Sequence, residues 1–179
     1  VSQTAANSLT VPAPGTYTID PGRSTITFRT RHVFGLAGVD GSFSVLSGRI
    51  RIAAEAAESD ATAVIDAASF TTGNDTRDNV VRSDKYLATA AHPHISFTSD
   101  AVRESQGSYS LHGELTVRAT TRPVELLIEE ARSEARSGAE EISFRATTKI
   151  DRYAFGITAD KGMTARYLTL TLDIVASTA

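Results

Sequence analysis

Apolar and polar residues alternate along most of the chain. In YTIDPGRSTITFRTRHVFG, Tyr17 and Ile19 precede the turn DPG, and Ile26 and Phe28 then alternate with Thr25, Thr27 and Arg29. This period of two predicts a strand, a turn and a longer strand. GRIRIAAE repeats it, with Ile50 and Ile52 against Arg49 and Arg51, after a bend carrying Gly38, Gly41 and Gly48. ATAVIDAASF centres a further strand on Val64 and Ile65. HISFTSDAVR, YSLHGELTVRA, RPVELLIEEAR, EISFRATTKIDRYAFG and RYLTLTLDIVA follow; in the last, Leu168, Leu170, Leu172 and Ile174 line one face against Thr169, Thr171 and Asp173. One apolar face per strand, with short turns between, predicts antiparallel β structure rather than β/α.

Closing such a sheet removes its exposed edges, and about eight strands enclose an interior that side chains fill or that holds one small ligand. The expected fold class is therefore all-β, an eight-stranded antiparallel lipocalin-like barrel. One stretch breaks the alternation: TTGNDTRDNVVRSDKY, residues 71–86. Asn74 or Asp75 suits an N-cap, Asp78 the first turn and Lys85 the end, which predicts a short helix or lid around residues 75–87. Val80, Val81 and Tyr86 then share a face that plugs the barrel, while Arg77, Arg82 and Asp84 point elsewhere. An enzyme would need Asp75 and Asp78 to converge on a substrate with their pKa values pushed apart. Helix capping accounts for the same charges without chemistry, and the chain is read as a non-enzyme. EEARSEARSGAEE reads as a solvated hairpin tip between two strands. Residues 1–15, small, polar and punctuated by Pro and Gly, read as a flexible arm before a single domain over 16–179.

Composition narrows the function. The 179 residues, 41% hydrophobic and 22% charged, suit one globular unit with a core of its own. A formal net charge of −3 lacks the basic excess of nucleic-acid binders. No apolar run reaches the ~20 residues that cross a bilayer, so no transmembrane segment is expected. The absence of cysteine removes disulfides, thiolate ligands and a cysteine nucleophile. His92 and His94 have the spacing of two ligands on one strand face, but His32 and His112 lie in unrelated segments and no third ligand is evident, so no metal is expected. No phosphate loop, dinucleotide fingerprint or nucleophile elbow is present, and no cofactor is expected. The first residue is Val1, and the segment after it lacks a basic region and an apolar stretch. The expected location is cytoplasmic if this N-terminus is native, and secreted or periplasmic if a signal peptide has been removed.

The ordered set YTIDPGRSTITFRTRH, GSF, SFTTGNDTRDNVVRSDKY, HPHISFTS, HGELTVRATTRPVEL and IDRYAFG resembles the YceI-like family of bacterial lipid-binding proteins, from Tyr17 to about Val175. The most specific pieces are Arg77-Asp78, Gly-x-Leu-Thr at 113–116 and Asp-Arg-x-x-Phe-Gly at 151–156. The resemblance implies a lipocalin-like barrel with a helical lid, whose apolar tunnel takes a polyisoprenoid chain or isoprenoid quinone, with no established catalytic residues. Two departures are KYLATAAHP, where relatives place more aromatics before the proline, and Arg166-Tyr167, where relatives often carry small or acidic residues. An isoprenoid offers no hydrogen-bonding groups along its chain, so its binding must come from buried apolar area. The expected lumen residues are Ile26, Phe28, Phe43, Ile52, Phe70, Val80, Phe97, Leu115, Phe144, Phe155 and Leu170. Head-group or lid residues are expected among His32, Thr72, Arg77, Asp78 and Arg152; Arg77 and Arg152 are expected to pair with carboxylates such as Asp78 or Asp151. The function read from these residues is carriage, storage or sequestration of the lipid. The alternatives are an enzyme acting on an isoprenoid through Asp75, Asp78 and Arg77, or a filled barrel serving as an interaction module. A homodimer through edges or barrel mouths stays open, with no exposed stripe that compels it.

Overall fold

The alternating segments form nine strands: β1 (Gly15–Ile19), β2 (Thr25–Thr30), β3 (Asp40–Ile52), β4 (Asp60–Thr71), β5 (His94–Ser105), β6 (Ser108–Val117), β7 (Thr120–Arg136), β8 (Ala139–Asp151) and β9 (Tyr167–Ser177). One α-helix, α1 (Asp75–Arg82), lies between β4 and β5. The structure, a computed structural model, describes residues 9–30 and 38–178. Every strand pairing is antiparallel. β1 and β2 both pair with β3 and β9, β1 at Ile50 and Ala176 and β2 at Phe43 and Leu172, so they share one position in the sheet end to end. The order β2-β9-β8-β7-β6-β5-β4-β3 then returns to β2. The result is a closed eight-stranded antiparallel barrel.

Local sequence explains the connections. Three hairpins close with two residues: Gln106 and Gly107, Arg118 and Ala119, Ser137 and Gly138. Gln106 and Gly107, and likewise Ser137 and Gly138, both take positive φ, the twist that matches antiparallel strands. The segment read as a solvated tip is therefore mostly strand. β7 runs to Arg136 and β8 restarts at Ala139, because cross-strand pairing continues from Ala131↔Phe144 out to Arg136↔Ala139. Beyond Ile128, β7 has no partner on β6, while β8 stays paired with β9 out to Glu141, so the β7 side of this hairpin presents a free edge. Its free edge receives the chain start: Leu9 forms a parallel bridge with Ala131, and Thr10 N donates to Ala131 O at 3.4 Å. Of the predicted arm, residues 9–14 thus cross this end of the barrel, and residues 1–8 lie outside the described residues.

The two ends differ. The connections after β4, β6 and β8, with α1 and the segment 152–166, lie at one end, here the lid end. The opposite end carries short turns and residues 9–14 and is called the arm end. Alternation along the strands sends Tyr17, Ile26, Phe28, Ile65, Phe97 and Ile142 inward, all buried. Gly113 has a physical role: a Cβ there would lie 2.7 Å from the Phe97 ring, so its hydrogen lets Phe97 fold across β6. No helix among the described residues is long and apolar enough to cross a membrane.

Candidate functional site: an apolar cavity and its lid

Inward alternation leaves a space rather than a filled core. The barrel encloses a cavity of about 520 Å³. All the predicted lumen residues except Val80 line it: Ile26, Phe28, Phe43, Ile52, Phe70, Phe97, Leu115, Phe144, Phe155 and Leu170. Near the lid, Phe28 stacks on Phe70 at 5.2 Å and 14°, and Phe43 meets them at 5.8 and 5.5 Å. Offset and edge contacts of this kind fix three rings as a collar. Val80 is a correction. It is 43% exposed, because the helix turns Val81 toward the cavity and Asp78 toward the end of β4, leaving Val80 on the outer side.

Sequence alternation also reaches residues not singled out as candidates, including Ile65, Ile95, Val117, Leu126, Ile150 and Leu172, all of which line the cavity. Leu9, Val11 and Pro12 close it at the arm end, and the apolar spacing of LTVP was their only signal. A surface lined this way presents almost nothing for water or a polar ligand to bond along its length.

The lid is held from its own sequence upward. Asn74 Oδ1 accepts from Arg77 N at 3.0 Å and caps α1. The helix stops at Arg82 rather than at residue 87, because Ser83 leaves helical backbone and both its N–H and its hydroxyl bond Val80 O. Tyr86 therefore sits on a turn, buried, and not on the helix. Asp78 is 2% exposed. Its carboxylate accepts from Thr72 N at 3.0 Å, Thr72 Oγ1 at 2.5 Å and Thr71 Oγ1 at 3.2 Å. Burial opposes its charge, but these donors, with Arg82 nearby, prevail and hold its pKa below the ordinary aspartate value.

The expected ion pairs are rearranged. Arg77 Nε donates to Thr72 Oγ1 at 2.8 Å and meets Asp78 only through that hydroxyl. Arg152, 6% exposed, pairs with no carboxylate among the described residues; it donates to the carbonyls of Ala165 (2.8 Å), Ile157 (2.8 Å) and Thr164 (3.2 Å). A guanidinium has enough fixed donors to pin a whole loop in this way. Asp151 instead takes Arg166 bidentately at 2.9 and 2.8 Å, which lowers its pKa. Asp160 joins the two lid segments: Tyr86 Oη donates to it at 2.6 Å and Lys85 Nζ lies 2.8 Å away. Sequence gave no sign of this link. Thr72, Arg77, Arg152 and Thr164 line the cavity at this end, Asp78 does not, and His32 lies outside the described residues.

The residues offered for catalysis do not meet at the cavity. Asp75 is exposed at the helix start, Asp78 is enclosed by threonines, and neither lines the lumen. His94 opens β5 exposed while His92 sits in the preceding turn. His112 contacts Ser110 Oγ at 3.0 Å.

A model of the YceI-like domain matches residues 17–176, the barrel from β1 to β9. The chain belongs to the YceI-like family. Bacterial proteins are among its relatives. A UPF0312 protein of Photorhabdus laumondii is 31% identical, over 88% of this chain and 84% of its own, and the Protein YceI of Escherichia coli is 28% identical, over 83% and 78%. Among solved structures of this fold, BcnA of Burkholderia cenocepacia superposes with a TM-score of 0.71 at 20% identity, covering 88% of this chain and 98% of its own. A polyisoprenoid binding domain from Saccharophagus degradans, implicated in plant cell wall breakdown, superposes at 0.66 with 17% identity, covering 91% and 98%. These YceI-like barrels share the architecture described above.

Proposed function

We propose that this protein binds a long-chain isoprenoid lipid, a polyprenyl chain or an isoprenoid quinone, in its lumen, and acts as carrier, store or sequestering protein. The cavity carries the reading: a closed barrel of this size has side chains enough to fill itself, and here they stand back around about 520 Å³ of apolar space. The 13 residues of β3 rise about 40 Å and, tilted, span about 30 Å along the barrel axis, a length suited to an extended chain rather than a compact solute. Each Å² of apolar ligand surface removed from water contributes about 25 cal/mol, against which the ligand's lost freedom is set. Thr72, Arg77 and Thr164 are the donors placed to meet a head group. The binding domain from Saccharophagus degradans supports the ligand class by its fold. No cofactor enters this reading, and among the described residues no acid–base pair facing the lumen favours turnover.

Native mass spectrometry of freshly purified protein, followed by organic extraction, tests it. The expected result is a stoichiometric, non-covalent polyprenyl or quinone species. A ligand-free protein whose tyrosine fluorescence is also unchanged by added quinone or polyprenol overturns it.

A further inference from the structure

At the lid end three of the residues that line the cavity are exposed, Arg77, Met163 and Thr164, and Met163 is the apolar one. Met163, the chain's single methionine, both lines the lumen and is 74% exposed. It stands at the tip of a tight turn in which Asp160 and Gly162 take positive φ and Met163 N and Thr164 N both donate to Asp160 O at 3.0 Å. Asp160 is itself fixed by Tyr86 and Lys85, so the turn projects from a held base.

Cations and aromatic rings flank that tip. Lys161 lies 5.1 Å from the Tyr153 ring, Arg166 is stacked between Tyr153 (4.7 Å) and Tyr167 (5.0 Å), and Lys149 sits 4.3 Å from Tyr167. Arg166 is neutralised by Asp151. Lys149 and Lys161, both exposed, have no carboxylate partner among the described residues, and neither do Arg118 and Arg122 at the adjoining ends of β6 and β7. Asp75 and Asp84, on and just after α1, are acidic groups at the same end that also lack a cationic partner among the described residues. The arm end has the opposite character: Glu55, Glu58, Glu104 and Glu134 are exposed there without a cationic partner among the described residues. A chain of net charge −3 thus has an excess of unpaired cations in this sector of the lid end and an excess of unpaired carboxylates at the arm end, where Arg103 is the exception.

We infer that the rim sector from β6 to β9, with Met163 at its tip, docks the lid end onto an anionic lipid bilayer. An anionic leaflet attracts unpaired Lys and Arg and repels the acidic arm end, which orients the barrel with its lid toward the lipid. Tyrosine prefers the interfacial layer, where its ring is shielded and its hydroxyl wet. Met163 adds an unbranched apolar side chain at the point of contact. The inference rests on the carrier reading for its purpose: a lipid drawn from a membrane enters beside Met163 without crossing water. It does not rest on that reading for its test.

The test is flotation of the whole protein with phosphatidylcholine vesicles, with and without phosphatidylglycerol, at low and high salt, alongside native mass spectrometry of the same samples. The expected result is binding to the phosphatidylglycerol vesicles alone, lost at high salt. The double variant Lys149→Glu, Lys161→Glu weakens partition at least about tenfold with an unchanged melting curve and unchanged lumen content, and Met163→Asp weakens it roughly fivefold. Glu55→Gln at the arm end leaves it unchanged. Wild-type protein that ignores charged vesicles, or a double variant that binds as well as wild type, overturns the inference. So does retention on a soluble polyanion without vesicle binding, which would assign the sector to an acidic macromolecule. Charge-dependent vesicle binding by a protein with an empty lumen would leave the docking surface standing and remove the isoprenoid reading.

Discussion

The two mouths of the barrel are closed by different physics. At the lid end, long loops are held by polar groups: Asp78 enclosed by Thr71 and Thr72, Arg152 gripping three carbonyls, and Asp160 shared by Lys85 and Tyr86. At the arm end, the two-residue turns after β5 and β7 need no such help, and the 53–59 connection is tied locally through Ser59 and Arg51. Leu9, Val11 and Pro12 add closure, laid across the opening through a single bridge to β7. Two ion pairs at 2.6 Å stand there, Arg23 to Glu141 and Arg51 to Asp60; they join the turn after β1 to β8 and β3 to β4, and neither holds the arm. A polar network that is fully satisfied fixes one geometry and fails as a unit. An apolar strap with one backbone bond yields gradually. The lid end should therefore govern stability and the arm end retention of whatever fills the lumen.

The largest test of that contrast is Arg152→Ala. Three carbonyls would lose their donor and the segment 152–166 its centre, which destabilises the fold by on the order of 3–5 kcal/mol in urea unfolding. A loss below about 1 kcal/mol would mean that water replaces the guanidinium and that the lid is not pinned there. Asp78→Asn is next. It retains the shape but replaces one acceptor oxygen with an NH₂ facing donors from Thr72, and a fall in Tm of roughly 5–10 °C is expected by calorimetry. The same carboxylate sets a pH limit. Asp78, Asp151, Asp160 and Glu141 all have pKa values lowered in the folded state. The unfolded chain therefore binds protons first as pH falls. Their stabilisation is complete above the ordinary carboxylate range, about pH 4, and is lost as pH drops through the depressed folded values. Tm measured from pH 7 to 3 should hold and then fall steeply, and Asp78→Asn should flatten part of that fall.

What the sequence made legible follows the reach of each interaction. Strand alternation is local, and it is enough to place Ile26, Phe28, Phe97 and Leu170 on the inner wall. Asn74 as N-cap is equally local. Val80 failed because helix phase depends on where the helix begins and on Asp78 being drawn to Thr72, a contact made outside the helix itself. Arg152 was expected to seek a carboxylate, and nothing in DRYAFG marks the carbonyls five, twelve and thirteen residues on that it grips instead. Tyr86 to Asp160 spans 74 residues and joins two loops of no regular structure. The charged hairpin was misread for a related reason: exposed residues carry the signature of a loop even where backbone pairing continues beneath them.

Removing residues 1–12 addresses the arm end. The bridge at Leu9 and the burial of Pro12 together contribute about 1–2 kcal/mol, so urea unfolding should shift little. Retention should change more. Stopped-flow release of a bound quinone is expected to be roughly tenfold faster, the factor that about 1.4 kcal/mol produces. Equal release from the truncated and whole proteins would place the exit at the lid and leave the arm without a role in closure.

The smallest expected effect gives the finest division of the lid. Tyr86→Phe deletes one hydroxyl that donates to Asp160 at 2.6 Å and meets Thr164 Oγ1 at 3.2 Å, while the ring still lines the cavity. Asp160 keeps Lys85, so no buried charge is stranded, and the loss should be about 1 kcal/mol by urea unfolding. Burial first, and then the bond to Asp160, raise the pKa of the Tyr86 phenol, as burial does for Tyr17 and Tyr109, so an ultraviolet pH scan of the variant should lose one of the late-titrating tyrosines. If Tyr86→Phe is as damaging as Arg152→Ala, the junction at Asp160 rather than the guanidinium holds the lid. If it is as mild as expected, the lid hangs on Arg152, and the turn bearing Met163 can move at Asp160 without unfolding the barrel behind it.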